Sequence, residues 1–228
     1  MLGVLVVFII SWLLLWLFFK EHITVLGLRP SRQRLREFSI GLLLIAVFCA
    51  INLLGQAYFQ DVSYVQNPEY GIRESMNGVW WTFKAALFEE LIFRGAILYI
   101  LIRKIGVIKA CIIASIAFGI YHWFSYDMFG LGIVQMIYVF LVTGAGGWMF
   151  AYAFAKTKSL YAPLGLHFGW IVISIVIFSA GPLGNSLMIP DGEGSDLSGW
   201  AQVLFFLWQT LLVPGTVTWF LIKKYPNR

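Results

Sequence analysis

Charge is what this sequence has least of. Asp, Glu, Lys and Arg make up 12% of its residues, against roughly 25% in an ordinary soluble domain, which excludes a water-soluble globule. There are only two cysteines, Cys49 and Cys111. Both lie inside apolar runs without metal-ligand spacing, and they read as small packing residues. No His-Glu-x-x-His and no Gly-x-Ser-x-Gly occurs, which excludes a zinc-helix site and a serine elbow. No aspartate falls inside an apolar run, so a paired intramembrane aspartyl site is excluded as well. No repeat period stands out. No basic leader precedes the first apolar run, which is expected to be a retained span, not a cleaved signal. Tyr225-Pro226-Asn227-Arg228 is not a prenylation box.

Apolar residues are plentiful, at 60% of the chain with 18% aromatic. They gather into seven runs long enough for transmembrane helices, at about 2–19, 38–58, 78–102, 106–123, 130–155, 160–180 and 200–222. The expected fold is therefore all-α, a polytopic transmembrane bundle forming one integral membrane domain over 1–228. The basic residues sort by loop. Lys20, Arg29, Arg32, Arg34 and Arg36 follow run one, and Arg103, Lys104 and Lys109 flank the end of run three. Lys156 and Lys158 follow run five, and Lys223, Lys224 and Arg228 follow run seven. That puts 13 of the 16 basic residues on one side, which the positive-inside rule makes cytoplasmic. The opposite loops carry Asp61, Glu69, Glu74, Asp127, Asp191, Glu193 and Asp196. The expected topology has the N-terminus outside and the C-terminus inside, in the plasma membrane. A net charge of +5 distributed in this way points to a lipid bilayer as partner and not to nucleic acid. The stretch 59–77 could hold an interfacial helix, and 182–199 reads as a loop. Gly144-Ala145-Gly146-Gly147 and Gly165-xxx-Gly169 suggest close helix packing.

Few ionisable groups lie inside the runs: Lys84, Glu89, Glu90, Arg94, His122 and His167. Such groups are kept in a bilayer when they pair, line a cavity or do chemistry. Glu90 and Arg94 stand four apart on one helix face and can pair; a packing role suits them as well as a chemical one. Glu89 is turned about 100° from Glu90 and has no such structural need. A carboxylate to take a proton from water, with imidazoles to hold water or an oxyanion, is what hydrolysis needs. A lone histidine near a span end is more often an interfacial residue, but two of them beside a glutamate pair shift that weight. Straight spans would put the two histidines at different depths.

Glu89-Glu90-xxx-Arg94, then Phe118-xxx-His122, then His167, resemble in type, order and spacing the CPBP family, the CAAX-protease and bacteriocin-processing (Abi) intramembrane proteases. The resemblance covers about residues 78–180. It implies an endopeptidase in which Glu89 activates water with His122, His167 stabilises the oxyanion, and Arg94 with Glu90 supports the site. It implies a peptide or membrane-protein substrate. Prenylated substrates occur in eukaryotic relatives, while the short chain looks more like the prokaryotic branch. No cofactor is expected. Zinc is not favoured, and if a metal were needed Glu89, His122 and His167 would be its ligands. One position departs from the pattern. The third motif normally continues to Asn or Asp four residues after its histidine, and here that position is Ile171. The alternative is a non-proteolytic membrane scaffold or immunity protein of the same fold. A proton-coupled transporter is disfavoured because no inverted repeat is present.

Overall fold

The computed structural model describes residues 2–178, 181–192 and 194–226. Glu193, Arg228 and the last two residues of the expected sixth span lie outside the described residues. Helix α1 is Leu2–Phe19, and a short 3-10 turn, Ile23–Leu26, leads to α2, Arg32–Phe59. After strand β1, Ser63–Gln66, come α3, Ile72–Phe93, α4, Ala96–Ile105, α5, Val107–Ser125, and α6, Ile133–Thr157. Helix α7, Tyr161–Ile171, continues into a π turn, Val172–Ile177, and is followed by β2, Met188–Asp191. The last span is α8, Gly199–Leu207, a second π turn, Trp208–Leu212, and α9, Val213–Lys224.

The all-α bundle expected from composition is present, but its spans are not seven equal ones. Among the described residues five helical stretches are long and apolar enough to cross a bilayer: α1, α2, α5, α6 and the continuous unit Gly199–Lys224. The expected third span, 78–102, is broken. Helix α3 ends at Phe93 and a separate α4 starts at Ala96. Gly95 makes the break, because a Cβ there would collide with the Leu91 carbonyl oxygen and press on Ser11 of α1. The sixth is a shorter apolar helix, Tyr161–Ile177. It can be short because it is sheathed in protein: eight consecutive residues, from Ala162 to Gly169, are buried. By contrast α1 buries only Ser11 and Leu15 and leaves the rest of its apolar surface outward, as a lipid-facing helix does.

Small residues let α7 into the centre. A Cβ on Gly169 would lie 2.5 Å from Ile45 Cγ2 and 2.6 Å from the Leu42 carbonyl of α2. Gly41 of α2 meets the α7 backbone in the same way, 3.0 Å from Ala162 O. Gly147 of α6 would meet Phe118 and Ser115 of α5 at 3.1 and 3.2 Å, and Ser115 donates a short hydrogen bond to Gly144 O. The glycine patterns of both segments therefore serve close helix approach.

The segment 59–77 holds no separate interfacial helix. It contains β1, which pairs antiparallel with β2 from the loop after α7, Ser63 opposite Asp191 and Gln66 opposite Met188. Asn67 reinforces the ribbon by donating to Asn185 Oδ1 at 2.6 Å and Ser186 O at 3.1 Å. These two acidic loops are thus on one side of the bundle. At the other end Leu160 N donates to Leu26 O, Tyr161 OH donates to Leu28 O, and Glu21 accepts from Tyr99 and Arg103. Tyr225 OH reaches Glu37 of α2 at 2.7 Å. The basic loops after α1, α4 and α6 and the end of α9 therefore share one face, in the alternation the charge pattern calls for.

Candidate functional site

The last turn of α3 carries Glu89 and Glu90, and the helix ends on Arg94, whose N–H bonds Glu90 O at 2.8 Å. The same four-residue spacing brings the side chains together. Arg94 donates from Nε to Glu90 Oε2 at 2.7 Å and from Nη2 to Glu90 Oε1 at 2.6 Å. Both side chains are fully buried. This is the bidentate fork that guanidinium makes with carboxylate. The guanidinium lies over Phe118 at 4.3 Å and Phe150 at 4.9 Å, so aromatic faces of α5 and α6 complete its shell.

His167 enters from α7. Its Nδ1 is 2.8 Å from Glu90 Oε1, and its ring stacks on Phe150 with centroids 4.8 Å apart and planes 16° apart. A carboxylate already holding Arg94 can only accept, so Nδ1 carries the proton, an assignment made from the hydrogen-bond partner. In the neutral ring Nε2 is then a bare acceptor. That atom faces Glu89, with Nε2 to Oε2 3.8 Å. Glu89 Oε2 is buried without a hydrogen-bond partner.

His122 is on α5, one turn beyond Phe118. Its Nδ1 lies 2.8 Å from Phe118 O, an acceptor only, which again leaves Nε2 bare in the neutral ring. Phe118 sits between the two imidazoles, 4.5 Å from His122 and 5.9 Å from His167 by ring centroids. Tyr121 and Tyr126 pack edge-on to His122.

Both histidines open on a cavity of about 270 Å³ among α5, α6, α7 and the last span. Ile171 is on its wall, as are Trp170 of α7, Met149 of α6, and Gln209 and Pro214 of the last span. A drug-sized ligand pocket starts at about 300 Å³, and this cavity is close to that size. Its wall is mostly apolar with few polar groups.

The structure brings Glu89, Glu90, Arg94 and His167 into one cluster, and His122 packs beside it against Phe118; of these five residues the two histidines line the cavity. The depth mismatch expected of the two histidines on straight spans is not present: His122 and His167 line one cavity and both pack against Phe118. The pairing of Glu90 with Arg94 is present, and His167 joins it as a third member. Sequence reasoning had no sign of Phe150, which holds both Arg94 and His167. Gln209 shares the apolar last span with a second amide, Gln202, and only the cavity wall sets it apart. Among the described residues no three of His, Cys, Asp and Glu converge closely enough to hold a metal ion. Glu89, His122 and His167 do not form such a trio in this arrangement.

Compared with known proteins, residues 73–173 match the family model described as Rce1-like, type II CAAX prenyl endopeptidase. No curated protein and no solved structure gives a match. The matched stretch runs from α3 into the π turn after α7 and contains every member of the cluster. Over these residues the chain is similar to the CPBP family of CAAX-protease and Abi membrane proteins.

Proposed function

We propose that this protein is an intramembrane endopeptidase in which Glu89 activates water without a metal. The observation that carries the reading is the 3.8 Å gap between Glu89 Oε2 and His167 Nε2, two acceptors facing each other in a buried site. A polar pair separated by more than 3.5 Å suits a bridging water. A water about 2.8 Å from each atom subtends about 85°, close enough to the angle between its two O–H bonds to donate to both. Its lone pairs are then free to attack a carbonyl carbon.

In the reaction the water oxygen bonds to the scissile carbonyl carbon and the carbonyl π pair moves to oxygen. The water proton passes to Glu89. Collapse re-forms the carbonyl, breaks the C–N bond and returns the proton from Glu89 to the departing amine. The Nδ1–H bond of His167 to Glu90 makes Nε2 an acceptor, which favours His167 as the imidazole that shares the water. The resemblance gave that part to His122. His122, on the cavity wall, is the second imidazole and serves the leaving-group side. The Glu90–Arg94 pair orients His167 and is not itself reactive.

The substrate is a peptide or membrane-anchored protein, and the name of the matched family makes a prenylated CAAX tail the first probe. We further propose the plasma membrane, N-terminus outside and C-terminus cytoplasmic, supported by the basic face described above. The purified chain in proteoliposomes is incubated with a farnesylated CAAX peptide and with an unprenylated transmembrane peptide. Cleavage of either should be lost in Glu89→Gln, His122→Ala and His167→Ala and should persist in chelator. Survival of cleavage in all three variants would remove the site.

A second reading, a membrane scaffold of the same fold, is favoured by one observation: the apolar Ile171 occupies the cavity wall. On that reading Ile171→Asn changes no hydrolysis, and the biological effect survives Glu89→Gln.

A further inference from the structure

The cavity has a proton acceptor problem that the last span solves. With Nδ1 of His167 on Glu90 and Nδ1 of His122 on a backbone carbonyl, both neutral imidazoles face the cavity as acceptors. A tetrahedral intermediate needs the opposite, a fixed N–H or O–H donor aimed at the developing oxyanion. Position 171 is isoleucine and offers none. Thr143 on the same wall already donates its hydroxyl to Val139 O at 2.7 Å. Tyr126 and Tyr138 pack their rings on His122 and Phe206, but among the described residues no hydrogen bond anchors either hydroxyl as a preorganised donor.

Gln209 differs. It is half-buried, it lines the cavity with His122 and His167, and one N–H of its amide is anchored on Phe205 O at 3.1 Å. Nε2 carries two hydrogens, so the anchored amide has a second N–H to give. It stands in the π turn Trp208–Leu212. Such single wide turns inside α-helices recur at functional sites because they re-aim side chains. A second π turn, Val172–Ile177, begins directly after Ile171 on the facing element.

We propose that Gln209 is a catalytic residue, the amide donor to the scissile carbonyl oxygen, supplied by the last span instead of by α7. The inference rests on the endopeptidase reading above. The last span lies outside the matched stretch 73–173, so the oxyanion site of this chain is completed by a helix that its motifs do not cover.

The test uses the full chain in proteoliposomes with the farnesylated CAAX peptide and the unprenylated transmembrane peptide as probes. Gln209→Leu and the longer, near-isosteric Gln209→Met are compared with wild type and Glu89→Gln, with thermal unfolding as the check on folding. Loss of one oxyanion donor typically lowers kcat about 100- to 1,000-fold, and that loss is expected in both variants with KM within about twofold. Ile171→Asn placed in the Gln209→Leu background should recover at least tenfold of kcat, since it returns an amide to the same wall. Where Glu89→Gln silences cleavage, a folded Gln209→Leu that keeps kcat within threefold of wild type overturns the role of Gln209 alone. A fall in both variants through KM, with kcat kept, also overturns it. If wild type and Glu89→Gln process both probes equally or not at all, the endopeptidase reading fails and takes this inference with it.

Discussion

Removing Arg94 should destabilise the site about as much as truncating one of its buried aromatic side chains. Glu90 is fully buried and its carboxylate takes two charge-assisted bonds from Arg94, at 2.7 and 2.6 Å. In Arg94→Met that carboxylate keeps only the His167 bond at 2.8 Å and is left as an uncompensated charge. Breaking a buried ion pair by removing one partner costs about 3–5 kcal/mol, while replacing both by apolar groups is often close to neutral. The lost guanidinium contacts with Phe118 and Phe150 add about 1–2 kcal/mol, partly replaced by the methionine side chain. Arg94→Met is therefore expected to lose about 4 kcal/mol, and Glu90→Leu/Arg94→Met to recover most of it. The assay is reversible unfolding in mixed micelles for wild type, both single variants and the double variant. An Arg94→Met protein within about 1 kcal/mol of wild type, a small change by this reasoning, would refute the view that this pair is a buried, mutually dependent unit. In the double variant His167 loses its acceptor, so activity should stay absent although stability returns. Recovery of activity together with stability would contradict its assigned orienting role.

Other outcomes follow from particular contacts. Gly95→Ala puts a methyl against Leu91 O and should cost about 1–3 kcal/mol by overpacking; it should also lower cleavage by displacing Arg94, measured by unfolding and by the peptide assay. Gly169→Leu drives a side chain into Leu42 and Ile45 and should separate α2 from α7, read as a lowered thermal midpoint with at least as large a loss as Gly95→Ala. Single cysteines at Ser63 and Asp191, in a chain with Cys49 and Cys111 replaced by alanine, should cross-link to each other. They should react with an impermeant thiol reagent from the outside of whole cells, and labelling only after permeabilisation would reverse the orientation.

The fold was legible where it depends on composition along the chain. Apolar runs mark the helices, and the basic loops alternate with acidic ones because lipid and the membrane's charge asymmetry act on each segment separately. What depends on distant partners was not legible. Gly95 interrupts an apolar run much as many harmless glycines do in membrane helices, and only the approach of Leu91 O and Ser11 makes it a break. Strands β1 and β2 are four residues each and more than a hundred residues apart in sequence, so neither carries a pattern of its own. The Glu90–Arg94 pair is local and was readable from its spacing. The bond from His167 to Glu90 joins residues 77 apart, and it is this bond that determines which nitrogen of His167 faces Glu89. The same contrast separates His122, whose motif lies within one helix turn, from Gln209, whose meaning comes only from the wall it shares.

The central claim is that Glu89 is the proton acceptor of a membrane-embedded hydrolysis. The most direct measurement is single-turnover cleavage of the farnesylated CAAX peptide and the transmembrane peptide by wild type and Glu89→Gln in proteoliposomes. Glutamine keeps the size and removes the basic carboxylate, and general-base assistance is worth about 100- to 10,000-fold. The account predicts a fall of that size in the chemical step, with the Glu90–Arg94 pair and the unfolding midpoint unchanged. A Glu89→Gln protein that cleaves at the wild-type rate would contradict it.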